Sequence, residues 1–130
     1  MNLPVTLSAA AAAAIIAVWL MIRVGQVRQS EKVSIGDGGN EKVVRRMRAH
    51  SNYIESAPFV LALIAAIEIS DKGQPWLAWV AAIYFLGRIA HAFGMDDGTF
   101  GKGRFIGTVI TMLTLLGLAV AAALVALGYI

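Results

Sequence analysis

Arg45, Arg48, Asn52 and Glu55 are spaced three, four and three residues apart, which puts all four side chains on one stripe of a helix. His50 lies off that stripe. Further along, Arg88 and His91 stand one turn apart on a face that Met95 continues. If the two faces meet, Glu55 comes near Arg88 or Arg48, with Asn52 bridging. A carboxylate facing an arginine serves, at its simplest, as an architectural clamp, because removing either partner strands a charge in low dielectric. A clamp needs one arginine, however. Arg28, Arg45, Arg48, Arg88 and Arg104 all flank or enter apolar runs, and Glu55 is the one carboxylate expected among them. Surplus guanidinium groups of this kind suit a small anion. Arg104 also opens an apolar helix, where free backbone N–H groups and the helix dipole favour negative charge. Two plainer readings stand beside this one: Arg45, Arg46 and Arg48 as a topology signal among lipid headgroups, and His91 as a hydrogen-bonded histidine of the bundle interior. The two histidines and Glu55 fall on different faces and lack the spacing of a metal site. No cysteine is present, which removes disulfides, thiolate metal sites and a thiol nucleophile of the chain's own.

The setting for these residues is a membrane. Hydrophobic residues make up 58% of the 130 positions and charged ones only 15%, with a mean hydropathy of +0.72. That is more apolar surface than a soluble domain of this length can hide. A helix needs roughly 20 mostly apolar residues to cross the hydrocarbon, and the sequence holds four such runs, at about 3–25, 41–70, 75–95 and 104–130. The first and last carry no charge from Leu3 to Ile22 and from Phe105 to Ile130. The expected fold class is all-α: an integral membrane four-helix bundle, one domain over residues 1–130, with short connections and antiparallel neighbours. Residues 26–40 are the one long loop, where Gly36-Asp37-Gly38-Gly39-Asn40 marks a turn and Asn40 or Gly39 caps the second helix. That glycine cluster lacks the spacing of a phosphate loop. Residues 96–101 form the third connection.

Lys and Arg placement sets the expected orientation. Arg23, Arg28, Lys32, Lys42, Arg45, Arg46 and Arg48 gather around the first connection and Lys102 and Arg104 at the third, whereas the opposite side has only Lys72. The positive-inside rule puts both basic connections in the cytoplasm and both termini outside. The net charge of +3 therefore points to anionic lipid or an anionic ligand and not to nucleic acid. Without a basic residue ahead of it, and long enough to span, the first run is expected to be a membrane helix and not a cleaved signal.

The run Arg48-Ala49-His50-Ser51-Asn52-Tyr53-Ile54-Glu55, followed by Pro58-Phe59, resembles the R-A-H-x-N-x-x-E signature of the membrane-associated proteins in eicosanoid and glutathione metabolism, the MAPEG family. Gly87-Arg88-Ile89-Ala90-His91 on the third helix and Gly25-Gln26-Val27-Arg28 leaving the first support the likeness, as does the spacing from His91 to Arg104. It covers nearly the whole chain, and the short loops look like the compact bacterial branch, which implies a multi-pass protein of a bacterial inner membrane. The resemblance implies a homotrimer that holds glutathione between subunits near the cytoplasmic face and acts as a glutathione transferase or peroxidase on lipophilic substrates. By the same resemblance Arg104 activates the thiol, Arg28, Asn52, Glu55 and His91 contact glutathione, and Arg45, Arg48 and Arg88 support the pocket. Glutathione is then a cosubstrate, no metal is called for, and the partners are further copies of the chain and membrane lipids. Three positions depart from patterns found in the family: Ser51 replaces an arginine, Met95 a tyrosine and Phe105 a hydroxyl residue.

Two other functions fit parts of the sequence. A member of the same fold could hold a lipid or thiol without turnover. A small proton-coupled multidrug transporter would use Glu55 as its exchanging carboxylate, although such proteins usually carry that acid in the first helix, which here has none. Gly103 and Gly107, with Thr108, Thr111 and Thr114 recurring every three residues, suit either contact between subunits or packing inside one.

Overall fold

The computed structural model describes residues 1–98 and 101–130; Thr99 and Phe100, in the third connection, lie outside the described residues. Four helices follow one another: α1 (Pro4–Glu31), α2 (Glu41–Ile69), α3 (Trp76–Met95) and α4 (Lys102–Ala126). Each is long and apolar enough to cross a membrane, so the chain is a membrane helical bundle of the expected class. Pro4 occupies the first turn of α1, where its missing N–H has no helical partner to lose. Asn40 caps α2, its Oδ1 accepting from the amides of Lys42 at 3.0 Å and Val43 at 3.2 Å.

One boundary differs from expectation. The loop expected over residues 26–40 starts only at Lys32, because α1 continues to Glu31. Nothing between Gln26 and Glu31 breaks a helix, and Val24 and Val27 are buried, so the extra turns have a surface to pack on. The helix stops at Lys32, which turns left-handed at φ 58° and donates its N–H to the carbonyls of Arg28 and Gln29.

α2 and α3 form the spine: they touch each other and both α1 and α4, whereas α1 and α4 do not meet. Tyr53, Val60, Ile64 and Ile67 of α2 and Leu77 and Tyr84 of α3 are almost fully buried along that spine. Outward-facing residues such as Ile15, Val18, Met112, Leu113 and Leu116 are large, apolar and exposed, as helices bathed in acyl chains require.

α3 and α4 approach most closely through glycine. A Cβ on Gly94 would collide with the backbone of Gly103 and Arg104, one on Gly103 would meet the Ala90 carbonyl at 2.6 Å, and one on Gly107 would strike His91 and the Gly87 carbonyl. Small residues let membrane helices draw together in this way, gaining van der Waals contact where no hydrophobic driving force separates helix from lipid. Gly103 and Gly107 are therefore committed to packing inside the chain, and not to a contact between subunits.

Polar groups inside the bundle find partners within it. The Tyr53 hydroxyl donates to the Ala13 carbonyl at 2.6 Å, and Ser56 and Tyr84 share a hydrogen bond of 2.6 Å. At the end away from the basic connections, Glu68 reaches from the last turn of α2 to the first turn of α1. Its carboxylate accepts the amides of Val5 at 2.9 Å and Thr6 at 2.7 Å, and the Thr6 hydroxyl at 2.7 Å. A helix N-terminus with free N–H groups is thus capped by a carboxylate from another helix. Replacing Glu68 by Ala should raise amide exchange at Val5 and Thr6 by about tenfold and leave the Tyr53 region protected. Unchanged exchange at those two amides would show that the cap contributes nothing.

Candidate functional site

The polar residues of α2, α3 and α4 meet at the end of the bundle that carries the basic connections. Arg88 is only 2% exposed. It donates to Asn52 Oδ1 at 2.7 Å and to Thr111 Oγ1 at 2.9 Å, and lies 3.4 Å from His91 Nδ1. Thr111 passes its own hydroxyl proton to the Gly107 carbonyl at 2.8 Å, which frees a lone pair for Arg88. One guanidinium thereby ties three helices together. Asn52 and Thr111, the side chains it donates to, are both neutral, no carboxylate hydrogen-bonds to it, and its Nε has no partner among the described residues.

The α2 stripe has the expected register, but its members face two ways. Asn52 turns in to Arg88, whereas Arg48 and Glu55 are exposed on the outward side of the helix together with Phe59. Asn52 therefore meets Arg88, but the expected bridge from Glu55 through Asn52 is not formed. Glu55 makes no hydrogen bond or ion pair among the described residues. An ionised carboxylate on the outside of a membrane helix is costly unless protein or a polar cavity covers it.

Arg28 is half-buried near the end of α1. Its hydrogen bond goes to the sulfur of Met47 at 3.6 Å, a weak acceptor, and its buried Nε has no partner among the described residues. It lines an open cleft of about 480 Å³ with Gly25, Gln29, Lys32 and Val33. Arg104 is half-buried in the first turn of α4, its backbone held against Gly94. His91, 3% exposed, lies against Gly107 one turn further along that helix. Hence Asn52, Arg88, His91 and the start of α4 are gathered within one chain, while Arg28, Arg48 and Glu55 stand at its outer surface. The described clefts are lined by Arg28 and its neighbours, by the Arg45–Arg46 region or by apolar residues, and none of them contains Asn52, Glu55, His91 or Arg104.

Arg45 belongs to a second cluster. It pairs with Glu41 at 3.0 Å and donates to the Asp96 carbonyl at 3.4 Å. Arg46 donates to the Arg23 carbonyl at 2.9 Å and lies 3.5 Å from Asp96 Oδ1. Arg23 forms an ion pair with Asp96 and donates to the Ala92 carbonyl at 3.3 Å. Its guanidinium carbon sits 5.1 Å from the ring centres of both Trp19 and Phe93, an arrangement that holds a cation by the ring faces. The expectation of Glu55 as the one nearby carboxylate is corrected here: Asp96 pairs with both Arg23 and Arg46, and Glu41 with Arg45. Sequence reading missed Arg23 and Asp96, which look like a span flank and a turn residue. The available signal was slight: Trp19 lies four residues before Arg23, which places an aromatic ring one turn away.

The chemistry open to this end is anion binding, by Arg28 at its open cleft and by the first turn of α4; Arg88, 2% exposed, is closed off by its own chain. Among the described residues no group of three or more His, Asp and Glu is placed to hold a metal. The chain matches the MAPEG family over residues 6–124. Among curated proteins no match to it is found.

Proposed function

We propose, since this chain belongs to the MAPEG family, that it is a membrane-bound glutathione transferase joining glutathione to lipophilic electrophiles, its site completed between copies in a homotrimer. The observation that carries this reading is the exposed Arg48 and Glu55 on a helix whose next outward residues, Pro58, Phe59 and Ala62, are apolar. Such a face calls for a polar partner, and a second copy bringing Arg28, which lines an open cleft at its own surface, supplies one. Glutathione carries two carboxylates and an ammonium group, which suit the arginines and Glu55 in turn. Asn52 and His91 contact the bound tripeptide, while Arg48 and Arg88 support its pocket; Arg45 acts from further away, through the turn that ends α3.

The chemical step needs a thiolate. Arg104 stabilises it, the sulfur attacks an electrophilic carbon, the C–S bond forms, and the leaving group departs with the electron pair of the bond it breaks. With a hydroperoxide as acceptor, the same thiolate would give peroxidase activity. An apolar electrophile reaches the site sideways from the bilayer. The positive-inside rule places this end in the cytoplasm, here that of a bacterial inner membrane, where glutathione is supplied.

The test is the ultraviolet thiolate band of glutathione added to detergent-solubilised native protein, together with conjugation of an aryl halide. Glu55→Gln should weaken glutathione binding by about tenfold, the worth of one charge-assisted contact. A native protein that raises no thiolate band removes the proposal. Binding without conjugation would favour the non-catalytic reading instead.

A further inference from the structure

Apart from Arg45, the cluster around Asp96 is not used by the proposed chemistry, yet it draws polar groups from three helices. Arg23 of α1 and Arg46 of α2 both reach Asp96. Arg45 donates to the Asp96 carbonyl, and its guanidinium lies against Gly98. Arg23 also holds the Ala92 carbonyl at 3.3 Å. These contacts fix the last turn of α3 at residues 92 and 96, on either side of Gly94. Gly94 is the residue against which the backbone of Gly103 and Arg104 packs, too close for even a Cβ. Arg104 is therefore seated on a turn that is itself pinned to α1 and α2.

We propose that Arg23 and Arg46 are positioning residues for Arg104: by gripping Asp96 and the end of α3, they set how far the Arg104 guanidinium stands from the bound thiolate. This rests on the glutathione reading above. The physical reason is the steepness of a short-range charge interaction. Retreat of a cation from about 4 Å to about 6 Å, at an effective dielectric near 20, moves the partner's pKa by about one unit. A bound thiol that is mostly ionised at neutral pH would then be mostly protonated. Burial makes the device stiff, since Arg23 is 5% exposed and rests against a touching pair of aromatic rings, Trp19 and Phe93.

The experiment compares the native chain, Asp96→Asn, Asp96→Glu, Arg46→Gln and Arg104→Ala in detergent, reading thiolate absorbance at pH 7, glutathione Kd and Tm for each. The expected result is a roughly threefold loss of thiolate in Asp96→Asn and Arg46→Gln, as a one-unit shift gives, with Kd rising by no more than about the same factor, as proton linkage requires, and partial recovery in Asp96→Glu. A clamp that only stabilises would lower Tm and leave thiolate per bound glutathione at the native level, and that outcome overturns the inference. If Asp96→Asn does not fold, Arg46→Gln decides by the same two readings. Should the native chain itself raise no thiolate band, the glutathione reading fails. Should native and Arg104→Ala differ while the Asp96 and Arg46 variants match native, only the positioning claim falls.

Discussion

Arg104→Ala should abolish most of the glutathione thiolate that the native protein holds at neutral pH. A thiol with an ordinary pKa of about 8.5 is only about 3% ionised at pH 7. A cation within a few ångströms lowers such a pKa by roughly one to three units. With a two-unit shift the bound thiol titrates near 6.5 and is about three-quarters ionised at pH 7, so removing the guanidinium costs about 25-fold in thiolate. The sign is fixed by charge: the cation favours the deprotonated form, hence conjugation rises with pH at a lower midpoint in the native chain than in the variant. The midpoint should move up toward about 8.5 in Arg104→Ala, and the two rates should converge above it. Rates that differ equally at every pH would mean that Arg104 acts on binding or folding and not on ionisation. Arg104→Lys should recover part of the shift, since charge and not the planar fork is what the thiolate feels.

The second large effect is on the fold. Gly107→Val should destabilise the bundle by about 3 kcal/mol or more. Any side chain there runs into His91 and the Gly87 carbonyl, and backbone cannot yield as a flexible side chain can. α4 would have to move away from α3 and take Thr111 with it, breaking the 2.9 Å hydrogen bond from Arg88. Arg88, buried and carrying a charge, would then lose one of its two strong acceptors. Gly117→Ala is the matched control: nothing lies within 4 Å of the added Cβ, and alanine favours the helix over glycine by about 1 kcal/mol. Thermal unfolding in detergent should separate the two variants clearly. Equal stability would show that the close approach of α3 and α4 is not what holds them.

Much of this protein follows from short-range sequence rules. A charge-free run from Leu3 to Ile22 has few stable choices other than a membrane helix, because only a helix or a closed barrel satisfies its own backbone in hydrocarbon. Asn40 was legible as one of two candidate caps, and the Asn52 and Arg88 stripes as faces that would bring those residues together if they met. Helical periodicity fixes which side chains share a stripe, and a buried arginine must find acceptors. The signature from Arg48 to Glu55 pointed to the family, and the match over residues 6–124 shows it.

Other features depended on which helices touch. Arg23 closes an apolar run, and such a residue ordinarily reaches out to headgroups. Here it turns inward, because α3 ends beside it and offers Asp96, the Ala92 carbonyl and Phe93 together. Nothing local to Arg23 encodes that choice. The glycines of α4 read equally well as a face for another copy, and only the proximity of α3 committed them. Sequence by itself thus determined the four spans, their basic end and the stripes of polar residues, since each depends on spacing along one helix. Tertiary structure decided which arginines are neutralised and which way Glu55 faces, because charges in low dielectric take whichever partner packing brings within reach.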